Sequence, residues 1–473
     1  MILTNPAAAS VPTYAGINFN GANFWQESQN FENVLKGGEV KNSFPDKNWW
    51  LQFNDPILSD YIEQSLRENQ DIKIAAAHIE ESNALARATM GKEFPQITLY
   101  GLFTRLKSSS NFLTPQIGNN ARGQLPSVLA GGTSNLYVTP IVAQYEIDYL
   151  LKNHSKTKLA KKDADINQFN YQTVLISLTS ELATAYFNLL KADKLLELNT
   201  ELLGYLQKSL ELKNSLFKEG EISYDDVLIN QQGISQILSN IMEIQKMQGL
   251  FAHQLCILMG KAPLEQSCLP RSDFDNISFN NNIPVGIPCN LISRRPDILA
   301  AAAKLQKADI NISLAFKDFF PAMNVFGVFG FASSSLSKLY DWKSNLSAIA
   351  VNAAQSLFTG GTKTAVYKAN KAACKGIFQE YQKAILIAFQ EVEDSLSKLN
   401  SDFSQYNEAQ IRVIDSQKLL TLANSRYQEG ENSYLDIINA RQKLINDKQT
   451  ITQSKSNLLI DNISLYKALG GGF

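Results

Sequence analysis

Lys218-Glu219-Gly220-Glu221-Ile222-Ser223-Tyr224-Asp225-Asp226-Val227-Leu228 interrupts one long proline-free tract, and Gln428-Glu429-Gly430-Glu431-Asn432-Ser433-Tyr434-Leu435-Asp436-Ile437-Ile438 interrupts a second in the same order. Gly220 and Gly430 suit the left-handed position that ends a helix. Ser223 and Ser433 follow as N-caps, each with an aspartate three residues on, Asp226 and Asp436, in capping-box spacing. Each stretch therefore reads as helix, tight turn, helix. Gly220 and Gly430 are 210 residues apart, and so are Gly260 and Gly470. Phe94-Pro95 recurs as Phe320-Pro321 at an offset of 226, so the second half lacks about 16 residues between that proline and its long tract. A duplication of this length sets the fold class before any single motif is weighed.

The prolines say where the helices lie. All 14 fall within residues 6–140 and 263–321. A proline inside a helix costs about 3 kcal/mol or more, so the two proline-free tracts are free to be helical. Leu175, Leu178, Leu182, Ala185, Leu189, Ala192 and Leu196 step by three and four, as do Ile385, Ala388, Val392, Leu396 and Leu399. That is coiled-coil spacing. A helix from Glu146 to Phe217 would reach about 105 Å, and its return from Ser223 to Met259 about 55 Å. Shorter helices are expected over Asp71–Glu93 and Asp297–Phe319, each just before a Phe-Pro pair.

After each Phe-Pro pair the period changes to two. Gln96–Thr104 with Asn135–Thr139, and Met323–Phe331 with Leu346–Val351, read as two pairs of strands. Aromatic-rich strands of this length occur in membrane β-barrels. Four strands close no barrel alone, and an open edge does not survive in lipid. Spanning a membrane thus requires several copies, while a small soluble sheet capping a coiled coil fits the periodicity equally.

Composition narrows the function classes. The chain has 473 residues, a formal charge of −1 and 19% charged residues. It lacks the basic footprint of a nucleic-acid binder, and polar uncharged side chains take the place of charge. Cys256, Cys268, Cys289 and Cys374 show no metal-ligand spacing; Cys268 and Cys289 bracket a loop and are candidates for pairing in an oxidising compartment. His78, His154 and His253 are dispersed and read as helix-surface residues. No run of 18 or more apolar residues is present, so no transmembrane helix is expected. The first residues, Met1–Pro6, lack the pattern of a signal peptide. Nothing resembles a nucleophile–base pair, a phosphate loop or a metal site, so neither an enzyme nor a cofactor is expected. Arg294-Arg295-Pro296-Asp297 reads as a helix start, with Asp297 stabilising the first turn.

Several motifs, in order, carry a resemblance. Trp49-Trp50-Leu51-Gln52-Phe53-Asn54-Asp55-Pro56-Ile57-Leu58, Ile292-Ser293-Arg294-Arg295-Pro296-Asp297-Ile298, Leu357-Phe358-Thr359-Gly360-Gly361, Arg426-Tyr427-Gln428-Glu429-Gly430 and the ending Tyr466-Lys467-Ala468-Leu469-Gly470-Gly471-Gly472 resemble the TolC-like outer-membrane factors, specifically their lipoprotein-type efflux branch. The resemblance runs from Asn48 to the C-terminus. It implies a mainly α fold with a small β part: two tandem repeats of long helical hairpins plus β-hairpins. Four strands per chain would join a shared trimeric β-barrel standing on a periplasmic α-helical barrel. The implied partners are two further copies, a periplasmic adaptor protein, an inner-membrane transporter and outer-membrane lipid. The implied role is a passive exit duct for drugs or other small molecules, placed in the bacterial outer membrane and extending into the periplasm.

On that pattern the organisation is an extended N-terminal segment 1–48, a first repeat 49–262 (β-hairpin 96–145, turn near 220), a linker 263–293, a second repeat 294–470 (β-hairpin 322–356, turn near 430) and a tail 471–473. The resemblance also places a periplasmic constriction at the second hairpin tip. Asp436 matches one acidic position, Leu435 adds an apolar part, and Asn439 stands where many members have Asp. Capping alone would equally explain Asp436 and Asp226. Gly220 and Gly430 are candidate adaptor contacts. Pro12-Thr13-Tyr14 resembles the element that follows a lipidated cysteine in this branch, but Ala7–Val11 precede it, so no lipidation site is found. Two alternatives stay open: a duct of the same architecture for type I protein or peptide secretion, and a coiled-coil scaffold without a pore.

Overall fold

The computed structural model describes residues 40–41, 47–107, 133–263, 269–278, 283–284 and 291–472. The connection expected between the first two strands, most of the N-terminal segment, Cys268 and Cys289 lie outside the described residues. Strand β1 (Val40–Lys41) comes first, then helices α1 (Pro56–Glu68) and α2 (Gln70–Met90). Strands β2 (Gln96–Leu99), β3 (Leu102–Lys107) and β4 (Thr133–Glu146) lead into the long hairpin α3 (Lys152–Glu219) and α4 (Tyr224–Leu258). The second half gives β5 (Ile283–Pro284), α5 (Pro296–Lys317), β6 (Ala322–Ser333), β7 (Asn345–Ala354) and the hairpin α6 (Thr362–Gln428) and α7 (Tyr434–Ala468). The matching arms are 68 and 67 residues, and both returning helices 35. A 68-residue helix is about 102 Å long.

The chain forms two compact units. The first holds the described residues up to Ile79, Asp165–Ala303 and those from Phe378 onward. Its core follows the heptad pattern: Leu178, Leu182, Ala185, Leu189 and Ala192 are buried, and Ile385, Ala388, Val392, Leu396 and Leu399 are wholly so. One stretch of α3 is long and apolar enough to cross a membrane, but 61% of it is buried within the protein.

The Trp49-Trp50 stretch, read in the sequence only as a motif, is a 3-10 turn over Trp49–Phe53 followed by α1. Trp49 stacks on Tyr466 at 5.4 Å, and Phe53 meets Phe187 edge-on at 5.0 Å. Pro56 opens α1 because its missing N–H is no loss there. Asp55 caps it, its Oδ1 accepting from the amides of Ile57 (2.9 Å) and Leu58 (3.1 Å) and from the Ser272 hydroxyl (2.9 Å). The Tyr186 hydroxyl donates to its other oxygen at 2.8 Å. Burial, with Asp55 beside it, pushes the Tyr186 phenol well above its ordinary range. Tyr61 is likewise raised to about 12, chiefly by burial.

Arg295 is a buried cation with three partners. It reaches both oxygens of Asp297 (3.0 and 2.6 Å), Glu391 at 2.6 Å, and the carbonyl of Ala468 at 3.0 Å, the end of α7. It thereby joins the start of α5 to the negative end of α7. Its charged form is favoured despite the burial that opposes it, because Asp297 and Glu391 outweigh that cost.

The second unit, Glu80–Ala164 and Lys304–Ile377, carries the larger sheet. The order is β2/β3, β4, β6, β7, all antiparallel. β2 and β3 keep one register on β4: Leu99 faces Ile141 and Leu102 faces Val138. They are one strand with a gap at Tyr100-Gly101, opposite Pro140. The Tyr100 amide donates to the Pro140 carbonyl at 2.9 Å, and Pro140 has no N–H to return. Four strands result, longer than the periodicity gave; β4 has 14 residues. A separate parallel pair, β1 with β5, ties Val40–Lys41 to Ile283–Pro284 and had no signal in the sequence.

Candidate functional site

Two features of the chain can do chemistry or transport, the hairpin ends and the two faces of the sheet. At the first hairpin, the Gly220 amide bonds the Phe217 carbonyl (3.0 Å) and the Glu221 amide the Leu216 carbonyl (2.9 Å). At the second, Gly430 bonds Tyr427 (3.1 Å) and Glu431 bonds Arg426 (2.9 Å). Both are Schellman closures, and both glycines sit at φ +79. With no Cβ, glycine takes that conformation without strain. Nothing lies within 4 Å of where a Cβ would stand at either glycine, so both turns face open space in this chain.

The two N-caps then differ. The Ser433 hydroxyl accepts from the Leu435 amide (3.2 Å), and the Asp436 carboxylate accepts from the Ser433 amide (2.9 Å), completing a capping box. In the first hairpin the Ser223 hydroxyl accepts from the Asp225 amide (3.3 Å), and no return bond from Asp226 is formed among the described residues. Asp436 and Asn439 are exposed and Leu435 is half-buried. An aromatic pair brackets each turn, Phe217 with Tyr224 at 5.3 Å and Tyr427 with Tyr434 at 5.8 Å.

Above the turns the hairpins are tied to each other. The Arg441 guanidinium on α7 donates to the Tyr205 hydroxyl on α3 and lies 5.0 Å from that ring centre. The two residues are 236 apart in the chain, so no local pattern announces the contact. Among the described residues, no group of three or more His, Cys, Asp or Glu is placed to hold a metal.

The sheet is two-faced. Residues opposite one another in an antiparallel ladder share a face. One face therefore carries Ile97, Leu99, Ile141, Val325, Phe329, Ile349 and Val351. Of these Ile97 and Leu99 are 72% exposed and Ile349 84%. The other face carries Gln96, Gln144, Glu146, Asn324 and Asn352 at one end. At that end an exposed apolar face is backed by polar side chains, which suits hydrocarbon on one side and water on the other, while further along the second face carries Val138, Val142 and Val328.

Such a sheet, borne on a chain of coiled-coil hairpins about 100 Å long, defines a subunit of an outer-membrane channel-tunnel. The family model for outer membrane efflux proteins matches residues 61–249 and 287–471, and the chain belongs to that family. The toluene efflux pump outer membrane protein TtgI of Pseudomonas putida is 30% identical over 431 residues, covering 89% of this chain and 86% of the relative. The probable outer membrane lipoprotein SilC of Salmonella typhimurium is 27% identical over 443 residues, covering 91% and 89%. Among solved structures, the CmeC outer membrane channel of Campylobacter jejuni superposes with a TM-score of 0.82 at 23% identity, over 93% of this chain and 91% of that one. VceC of Vibrio cholerae gives 0.78 at 21%, over 91% and 100%. These two likenesses bear on the fold, which is the TolC-like one.

Proposed function

We propose that three copies of this chain assemble into one exit duct for small molecules. Four strands from each close a barrel in the outer membrane, and the helical hairpins form a periplasmic tunnel. A periplasmic adaptor protein and an inner-membrane transporter supply the substrate and the energy. The observation that carries this reading is the open sheet: among the described residues its end strands, β2/β3 and β7, have one neighbour each, while its apolar face is exposed. Unpaired backbone groups in hydrocarbon cost several kcal/mol each, so the edges need further copies. Relatives named for toluene and solvent efflux favour small organic cargo over secreted protein.

Two measurements test this. Deleting the gene should sensitise cells to solvents, dyes, detergents and antibiotics, and the purified protein should run as a trimer in detergent by native mass. Unchanged susceptibility together with a stable, detergent-free monomer would sink the proposal.

Asp436, Leu435 and Asn439 line the narrow periplasmic end in this assembly, and the turns at Gly220 and Gly430 meet the adaptor. Three Asp436 carboxylates near one axis would bind cations and impede anions. Asp436→Asn keeps an acceptor for the Ser433 amide while removing the charge. It should raise single-channel conductance in planar bilayers and weaken block by divalent cations, as should Asp436→Ala. If neither changes, Asp436 is a helix cap and nothing more.

A further inference from the structure

α6 and α7 pack antiparallel, and one layer of their contact is defined by Asp447. It accepts from the Ser416 hydroxyl on α6, and Lys443 sits 2.9 Å away. Two heptads further along α7 stands Asp461; two heptads back along α6 from Ser416 stands Asp402. The two layers are equivalent in the helical repeat. The second has a carboxyl where the first has a hydroxyl, and the repeat sets Asp402 against Asp461 as it sets Ser416 against Asp447.

Asp461 Oδ2 is buried and receives no hydrogen bond among the described residues. Asp402 accepts a 3.3 Å contact from Gln405. The charged groups acting on Asp461 both come from α6: Asp402 itself and Lys398, which is exposed. Two carboxylates face one another with a buried acceptor and no donor between them. A proton is the donor that this arrangement lacks.

We propose that Asp402 and Asp461 share one proton, and that losing it loosens the packing of α7 on α6, making the second hairpin a pH-sensitive element. Burial, then the charge and hydrogen bond of Asp402, raise Asp461 from the ordinary aspartate value to about 7, against the pull of Lys398. Asp447 is the internal contrast. Burial raises it too, but the Ser416 hydroxyl, Lys443 and Arg412 win and it lies below the ordinary value. The pair titrates as a unit and holds its proton more tightly than a free aspartate does. The sign follows from the raised value. The folded state binds the extra proton, so its stabilisation is complete below the ordinary aspartate pKa. It is lost progressively as pH rises to about 7, and is absent above.

Asp402→Ser puts a hydroxyl opposite Asp461, as Ser416 stands opposite Asp447, although Asn457 takes the place of Lys443. Thermal unfolding of the full-length protein in detergent should then separate the two forms. The wild-type midpoint should fall relative to that of Asp402→Ser as pH rises from about 4 to about 7, and the gap should stay constant beyond. The infrared band of a protonated carboxyl, present in the wild type at mildly acidic pH, should vanish in the variant. Equal slopes, or a carboxyl band that survives the substitution, overturn the proposal. Should Asp402→Ser fail to fold, Asp461→Asn decides the same point, since a neutral amide must abolish both the slope and the band. The outcome is independent of the exit-duct reading, because neither measurement involves transport.

Discussion

At the scale of single residues, the repeated glycines show how one letter carries two different constraints. Gly220 and Gly260 both close Schellman motifs, at φ +79 and +74. Beyond Gly220 is open space, whereas a Cβ on Gly260 would lie 2.4 Å from the Glu68 carbonyl oxygen. Gly220→Ala should therefore cost only the left-handed penalty, about 1–2 kcal/mol, and leave assembly intact. Gly260→Ala adds an overlap with backbone that no rotamer relieves, and the end of α1 must shift. Its midpoint of thermal unfolding should drop several times further than that of Gly220→Ala. Equal drops would mean that the contact at Glu68 yields without cost. Sequence showed that both glycines end helices; the neighbour beyond Gly260 is about 190 residues away in the chain and was not legible.

At the scale of elements, what sequence revealed depended on whether the signal was local. The long arms, their breaks at Gly220 and Gly430 and the four strands follow from proline placement and from periods of 3.5 and 2, and the structure has them. Strand ends were underestimated: β4 runs on through Pro140 to Glu146, and β6 adds Ala322 at one end and Ala332–Ser333 at the other. The contacts of Arg295 with Glu391 and Ala468, the Tyr205–Arg441 tie and the β1–β5 pair join distant positions and left no local trace. Pro140 is the instructive case. A proline belongs on an edge strand, yet β4 lies between β3 and β6. In a strand, the N–H and C=O of one residue point to the same neighbour, and Pro140 turns that side to Tyr100. Toward β6 it therefore sits in a non-hydrogen-bonded pair, opposite Gly330. There a Cβ on Gly330 would stand 2.5 Å from the Pro140 Cα. Gly330→Val should thus separate β4 from β6 and block barrel assembly. The readout is loss of the heat-modifiable oligomer from outer-membrane fractions; an unchanged oligomer would show that the sheet absorbs the side chain.

At the scale of the whole molecule, the duplication does not mean two independent folding units. Leu459, Ile463 and Tyr466 of the second half lie in the same buried cluster as Trp49, Phe53, Leu182, Tyr186 and Leu255 of the first. The Tyr466 hydroxyl donates to Gln52 at 2.5 Å, and Lys455 holds the carbonyls of Phe274 and Asp275 at 2.8 and 3.0 Å. Burying Leu459 and Ile463 alone contributes about 1.5–3 kcal/mol each, comparable with much of a domain's net stability. Either half by itself would expose this cluster, so each half expressed alone should aggregate or be digested. Co-expressed halves, separated within residues 285–290, should recover a protease-resistant complex that co-purifies in detergent, because the core forms across the cut rather than through it. A second half that folds alone to a resistant species would show that each repeat carries its own core, and would remove the reason for both repeats to remain on one chain.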